Sequence, residues 1–435
     1  MRKLKPILLI VLIFGFFLSS PCTAVDKITS QHILQEIEKI KPEIIKIRRF
    51  LHINPELSNR EFQTSNLIAS KLMALDMDVQ AEIAKTGVLG ILRGEQQGFT
   101  IAVRSDMDAL PIQEKTELPY QSLNKGVMHA CGHDVHMAVI LGTAMVLKTL
   151  KHKIRGNIKF IFQPAEEGPP AGEKGGASLM IEEGVLKNPP VGALFGFHVW
   201  PQAETGTVLF SPGSIMAGSD RFLIQVKGKS AHGAMPHEGI DAIDLSAQII
   251  LNTRSVINRS IDPTSPVVIS FGKIEGGKRA NIVAEQVTMQ GTVRTLDEVM
   301  RDKVKRLMDN VIKGTTFPVG GSYEFQYTMG TPPVYNHPEL AKLLHPSLVS
   351  AVGEDNVKEL KPVMVAEDFS EYSQIIPGFY FFLGVKNPEA QTIYSLHSPY
   401  FEPDERSIPI GIKIMCHLLL DCLQQQENFA GQPPE

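Results

Sequence analysis

Cysteine is scarce in this chain. Four in 435 residues exclude a disulfide-built scaffold. No sign of charge dominates either: 43 Lys and Arg stand against 47 Asp and Glu, a formal charge of −4. Without the first 24 residues, which hold three bases and no acid, the balance is 40 against 47, or −7. A mildly acidic chain gives no electrostatic basis for wholesale binding to nucleic acid or to an anionic membrane. Internal repeats and low-complexity tracts are also missing. What is present is ordinary for a globular protein, with 43% hydrophobic and 21% charged residues. That is enough apolar matter to bury, which excludes disorder for most of the chain. At roughly 100–200 residues per domain, two domains are the first expectation.

The longest apolar run lies at the start. Arg2, Lys3 and Lys5 precede Ile7–Leu18, and Ser19-Ser20-Pro21-Cys22-Thr23-Ala24 follows, with small residues three and one positions before a break after Ala24. These are the three regions of a secretory signal. The apolar run of twelve residues falls short of the ~20 that cross a bilayer as a helix. Pro21 directly before Cys22 disfavours a lipoprotein. No later stretch reads as long and apolar enough to span. The expectation is a signal peptide over 1–24 and an exported mature chain, periplasmic or secreted, with no membrane partner after cleavage. Of the remaining cysteines, Cys416 and Cys422 lie six apart in a helical pattern, Ile410–Gln426. They would stand ~120° apart around the axis and ~9 Å apart along it, too far to bridge, and they read as small core residues.

The spacing of Ile33, Ile37, Ile40, Ile44 and Ile47 predicts a helix over 28–52, kinked or divided at Pro42. A second helix is expected over Thr64–Met77. Strands are expected over Gly87–Leu92, Thr100–Val103, Asn157–Phe162 and Ala193–Val199, with a helix over His136–Leu150 among them. Strands alternating with helices imply an α/β domain on a largely parallel sheet. Residues 216–330 read differently, in the order β-α-β-β-α-β, the mark of a ferredoxin-like unit. The α/β pattern resumes after it. The larger domain is therefore expected in two parts, 25–215 and 331–435, with the smaller one inserted.

In open α/β sheets, ligands gather at the carboxyl ends of strands. The reactive side chains fall there. Asp106-Met107-Asp108 ends one strand, His129-Ala130-Cys131-Gly132-His133-Asp134 precedes a helix, and Glu166-Glu167 follows the apolar Phe160-Ile161-Phe162. His198 ends another strand, and His397 lies far downstream. Thiolate, imidazole and carboxylate are ligands of zinc and its transition-series neighbours. Cys131 and His133 point the same way in an extended segment. Taken singly, each group has a bland reading: a buried cysteine, a hydrogen-bonded histidine, a solvated acidic turn. Their joint placement favours a metal site. One carboxylate of the adjacent pair can bind metal while the other serves a water as general base, so hydrolysis is the expected chemistry. Asp106 and Asp108 stay open between ligands, partners of a ligating histidine and helix-cap acids.

With these motifs in order, the chain resembles the M20 metallopeptidase-like amidohydrolases, in the branch of hippurate hydrolases, auxin-amino-acid conjugate hydrolases and N-acyl-amino-acid deacylases. The matching runs are Arg104-Ser-Asp-Met-Asp-Ala-Leu-Pro111, Met128-His-Ala-Cys-Gly-His-Asp134, Phe162-Gln-Pro-Ala-Glu-Glu-Gly168, Gly228-Lys-Ser-Ala-His-Gly-Ala-Met-Pro-His237 and His397-Ser-Pro399. The resemblance implies two divalent metal ions, Mn²⁺ or Zn²⁺ with Co²⁺ also allowed, held by Cys131, His133, Glu167, His198 and His397, with Cys131 in a bridging place. It implies Glu166 as general base on a metal-bound water. It implies His232, on an inserted lid or dimerisation domain, as donor to the tetrahedral oxyanion, often across a dimer. Asn281 and Arg294 would contact substrate polar groups or a carboxylate. Asp106 and Asp108 would stand behind the ligands. The activity implied is hydrolysis of N-acyl-amino acids, hippurate-like or other conjugates, by a homodimer or a monomer.

The chain departs from the family pattern in places. Asp106-Met-Asp108 stands where related peptidases have His-x-Asp, which removes one ligand used there. Arg279 and Ala284 replace the usual Ala and Pro around Asn281. Ala366 of Ala366-Glu367-Asp368-Phe369 replaces Ser or Gly. A dipeptidase or carboxypeptidase with the same centre is the nearest alternative. A binding protein that kept the pocket is opposed by the intact Glu166. A cysteine hydrolase pairing Cys131 with His133 is opposed by their spacing.

Overall fold

The computed structural model describes residues 25–389 and 392–425. The expected signal segment, residues 1–24, lies outside the described residues.

The first long element is α1 (Lys27–Ile53), capped by Asp26, whose carboxylate accepts the Thr29 N–H at 2.8 Å. It turns Ile33, Ile37, Ile44 and Ile47 into the core. Pro42 does not divide this helix, and α1 runs through it. Pro42 sits on the exposed face, where water can take up the carbonyl that it leaves unbonded. Then come α2 (Phe62–Ala74), β1 (Asp78–Ile83), β2 (Gly87–Arg93), β3 (Gln96–Asp106), α3 (His133–Thr149), β4 (Arg155–Gln163), α4 (Gly176–Glu182), β5 (Val191–Glu204), β6 (Val208–Phe210) and β7 (Gly213–Met216). The insertion contains β8 (Gly218–Lys227), α5 (Ala242–Ser260), β9 (Val267–Gly276), β10 (Gln286–Thr295), α6 (Glu298–Thr316) and β11 (Ser322–Thr328). The larger domain resumes with β12 (Val334–Asn336), α7 (Pro338–Val352), β13 (Val357–Glu359), α8 (Phe369–Ser373), β14 (Gly378–Lys386) and α9 (Ser407–Gln424).

The main sheet has the order β1-β2-β4-β3-β5-β14-β6-β13. Its middle strands β4, β3, β5 and β14 run parallel, with β2 and β6 antiparallel at their flanks. The strand β1 was not anticipated. Its sequence is half polar and its residues mostly exposed, so no apolar run marks it. Alternation along the middle strands serves two cores. Ile101, Val103, Phe160, Phe162, Phe195, Phe197, Phe379 and Phe381 meet α1, α3, α7 and α9 on one face. Ala102, Ile161, Leu194, Tyr380 and Phe382 meet α4 and α8 on the other. Helices therefore cover both faces, as a parallel sheet requires. One reading needs correction: α9 is long and apolar enough to cross a membrane by length and composition, but 78% of it is buried inside the fold. A helix that is apolar all round is one way to build a core.

The insertion folds as an antiparallel sheet in the order β11-β8-β10-β9. Both its helices pack on one face, Ile249, Val304, Met308 and Ile312 against Ile224, Val226, Val287 and Met289. The chain enters and leaves it through the paired strands β7 and β12. A buried network fastens that exit. Arg301 Nε donates to both oxygens of Asp220 at 2.9 Å, and Gly330 N–H donates to Asp220 Oδ1 at 3.0 Å.

Candidate metal centre

Three parallel strands deliver reactive groups to one end of the sheet. β3 ends at Asp106, β4 leads into Glu166 and Glu167, and β5 carries His198. Cys131 and His133 flank Gly132, which has φ +89° where α3 begins. A Cβ at Gly132 would come 2.5 Å from a methyl of Val199, so only glycine lets the helix start this close to β5. His397 arrives from the far end of the chain, its N–H donating to the Ala130 carbonyl at 2.9 Å. His397 at φ +64° and Ala165 at φ +56° are non-glycine residues in the left-handed region, a strain that surrounding structure must hold in place.

The donor atoms converge. Cys131 Sγ is 3.4 Å from His198 Nε2 and 3.3 Å from His397 Nε2, and His397 Nε2 is 3.2 Å from Glu167 Oε1. They form two groups, Cys131 with His133 and His198, and Cys131 with Glu167 and His397, each within 4.8 Å. Cys131 belongs to both. Backbone carbonyls fix two of the imidazoles. His133 Nδ1–H donates to Asp108 O at 2.8 Å and His198 Nδ1–H donates to Val199 O at 2.7 Å. Each ring then turns its Nε2 to the centre, where a metal ion would take the place of a proton. His133 Nε2 is buried with no partner.

The charges ask for cations. Burial, then Glu167 and Glu166, push the Cys131 thiol well above its usual range. Burial, then Glu367, Glu167 and Asp368, do the same to Glu166. At His133 burial opposes the charge, yet Asp106 and Asp108 push it up to about 10. Thiolate, imidazole and carboxylate suit divalent transition ions. The Sγ–Nε2 separations of 3.3 and 3.4 Å also suit them. A tetrahedral ion at ordinary Zn–S and Zn–N bond lengths would hold such atoms about 3.5 Å apart. The residues fit a metal pair.

Asp106 and Asp108 act from behind. Asp108 accepts the backbone N–H groups of Glu166 and Glu167 at 3.1 and 3.0 Å, which sets the turn that aims both carboxylates. Asp106 accepts from His136 Nδ1 at 2.7 Å and from Arg104 at 2.8 Å. Sequence reasoning missed His136. Its Nε2 accepts the Val199 N–H at 3.0 Å, so both nitrogens are spent and it braces β5 beside His198. The signal was there, since His136 is three residues after His133 on one helix face. Also missed was the role of Arg104, which ties Asp106 to Asp368 at 2.6 Å and Glu367 at 3.0 Å. Glu367 and Asp368 lie within 4.8 Å of Glu166, and the run Ala366–Phe369 marked them without indicating a function.

The structure does not gather every residue singled out. His232 is exposed on the insertion, where its Nδ1 accepts the Ala234 N–H at 3.1 Å. It bridges Ile282, and Asn281 O accepts the Gly233 N–H at 2.9 Å, so His232 and Asn281 share one end of the small sheet. Arg294 lies at the other end of β10, opposite Ser219. The eight steps from Gln286 to Arg294 alone span ~26 Å. Arg294 is half-buried, and burial and the neighbouring Arg221 lower its pKa.

Comparison with known proteins places these features. A sequence model of peptidase family M20/M25/M40 matches residues 102–421. The chain is 41% identical over 392 residues to a thermostable carboxypeptidase of Saccharolobus solfataricus, covering 90% of this chain and 97% of that one. It is 42% identical over 311 residues to an N-acyl-L-amino acid amidohydrolase of Geobacillus stearothermophilus, covering 72% and 82%. Its fold matches a Bacillus subtilis protein described as a dinuclear metal-binding peptidase, with a TM-score of 0.77 at 34% identity, covering 89% of this chain and 99% of that one.

Proposed function

Because the chain belongs to peptidase family M20/M25/M40 and is a metal-dependent amidohydrolase, we propose that it cleaves the amide bond of N-acyl-amino acids to a carboxylic acid and an amino acid. The observation that carries this reading is the split duty of one carboxylate pair. Glu167 belongs to a group that shares Cys131, whereas Glu166 groups with His133 and Glu167 but with no group that holds Cys131. Cys131, His133, Glu167, His198 and His397 would hold two divalent ions, which supply Lewis-acid activation of the carbonyl and of water. The thiolate and imidazoles suit Zn²⁺, and the carboxylate admits Mn²⁺ or Co²⁺.

Glu166 then takes the proton of the attacking water and passes it to the leaving nitrogen. Burial and the facing acids raise its pKa, which lets it keep the proton between those two transfers. The same acids argue for a blocked substrate amine. Asp106, Glu367 and Asp368 all bind Arg104, so none beside Glu166 is free to receive a substrate ammonium. The departing amino acid carries a carboxylate, and the half-buried Arg294 makes no ion pair among the described residues. A carboxypeptidase reading shares that carboxylate requirement and is supported by the relative of that name.

His232 would donate to the oxyanion. Gln286, at the end of β10 from which His232 and Asn281 project, lies ~26 Å from Arg294, further than a small substrate reaches. One substrate can meet all three only if two chains contribute, which supports a homodimer with His232 acting in trans. Residues 1–24 serve as an export signal, on the strength of their basic, apolar and small-residue regions. The test is metal analysis of the purified protein with a panel of N-acyl-amino acids and dipeptides. Two ions per chain and chelator-sensitive hydrolysis of the acylated series are expected. Preference for substrates with a free α-amine would transfer the reading to a dipeptidase. A metal-free, inactive protein would overturn both.

A further inference from the structure

The last turn of α9 holds an acid where physics disfavours one. Asp421 has 0% exposure, and the carbonyls at a helix C-terminus already concentrate negative partial charge. No ion pair reaches its carboxylate among the described residues, and the groups that bond to it are neutral. His417, one turn earlier and equally buried, is no cation: burial first, then Lys413, pull it down to about 4. Two neutral groups face Asp421 from other elements, the Ser347 hydroxyl of α7 and the backbone N–H of Val25 before α1. They lower its pKa, but burial outweighs them, and the carboxyl is pushed up to about 6. An uncompensated buried carboxylate destabilises a fold unless a cation meets it.

Val25 is itself buried, at 5% exposure, and it is the residue that follows the proposed signal cleavage. We infer that cleavage creates the missing cation, so that the α-ammonium of Val25 forms a buried ion pair with Asp421 and docks the mature N-terminus against α7 and α9. Under an export peptidase, water adds across the Ala24–Val25 amide. Ala24 leaves as a carboxylate and the Val25 amine takes up a proton. An α-amine of ordinary pKa, ~7.7–8.0, is charged at neutral pH. The nitrogen that bonds to Asp421 as an amide N–H becomes the ammonium. The pair would brace α9 against the start of α1 only in the processed chain. α9 packs on α3, the helix that opens with His133.

This inference rests on cleavage after Ala24, and the experiment separates the two claims. N-terminal sequencing of the exported protein should begin at Val25, and a different start overturns the maturation role. For the ion pair, two forms are made from a cleavable fusion, one beginning at Val25 and one at Ala24, each with and without Asp421→Asn. The Val25 form is expected to melt several degrees above the Ala24 form. Asp421→Asn should lower the melting temperature of the Val25 form, yet leave that of the Ala24 form unchanged or raise it. Equal effects in both forms overturn the pair. Should the Asp421→Asn protein fail to fold, acetylation of the Val25 α-amine replaces it. The blocked protein should melt like the Ala24 form, and an unaltered melting temperature overturns the inference.

Discussion

Glu166→Gln should separate catalysis from metal binding. The glutamine keeps the size of the side chain and cannot take a proton from water. Its backbone setting should survive, because Asp108 grips the N–H groups of residues 166 and 167 at 3.1 and 3.0 Å and not their side chains. Neither Cys131-sharing group includes Glu166, so both ions should remain. Loss of general base catalysis costs ~10²–10⁴ in rate, or about 3–5 kcal/mol at 1.36 kcal/mol per tenfold. Stability should move the other way. Glu367, Glu167 and Asp368 all repel a charged Glu166, and the neutral amide removes that repulsion, so the variant should melt at or above the wild-type temperature. The assay is kcat/KM on an N-acyl-amino acid, with metal content and melting measured on the same preparation. Activity within tenfold of wild type would refute the general-base role. Loss of metal along with activity would make Glu166 a ligand, a role its proximity to His133 and Glu167 makes a real competitor.

Mixing His232→Ala with Glu166→Gln subunits should restore activity if His232 acts in trans, since one site of the mixed dimer then holds both wild-type residues; verified mixed dimers with no recovery would exclude it. Asp220→Ala takes away the buried carboxylate of Arg301 at the exit of the insertion and leaves it Glu298 and the Gly330 carbonyl as partners, and should cost about 1–3 kcal/mol in denaturant unfolding; an unchanged stability would show that Glu298 and water replace the carboxylate. Asp26→Ala removes the α1 cap and should cost about 1 kcal/mol at neutral pH. The Thr29 hydroxyl and N–H hold the Asp26 carboxyl down at about 2. Its contribution is therefore present above the unfolded pKa of ~3.9 and is lost as pH falls through the folded value, where the two proteins should converge in stability.

The legible parts of this protein were those whose logic is local. The apolar runs ending in Asp106, Glu166 and His198 announce strand ends, and an α/β sheet sends its chemistry there. Pairings between distant positions were not legible. Arg104 and Asp368 are 264 residues apart, and nothing in either run shows that one guanidinium gathers three acids. The distance between His232 and Arg294 became visible only with the register of β8 against β10. In sequence both belong to one small unit, and the ladder sets their surroundings at opposite ends. Asp421 carries the point furthest. In the sequence it is an ordinary acid near the end of an apolar helix, and the bland expectation is a solvated side chain. Only the packing of α7 and the start of α1 around it removes the water, and only then does the residue that follows a proposed cleavage become its nearest source of charge.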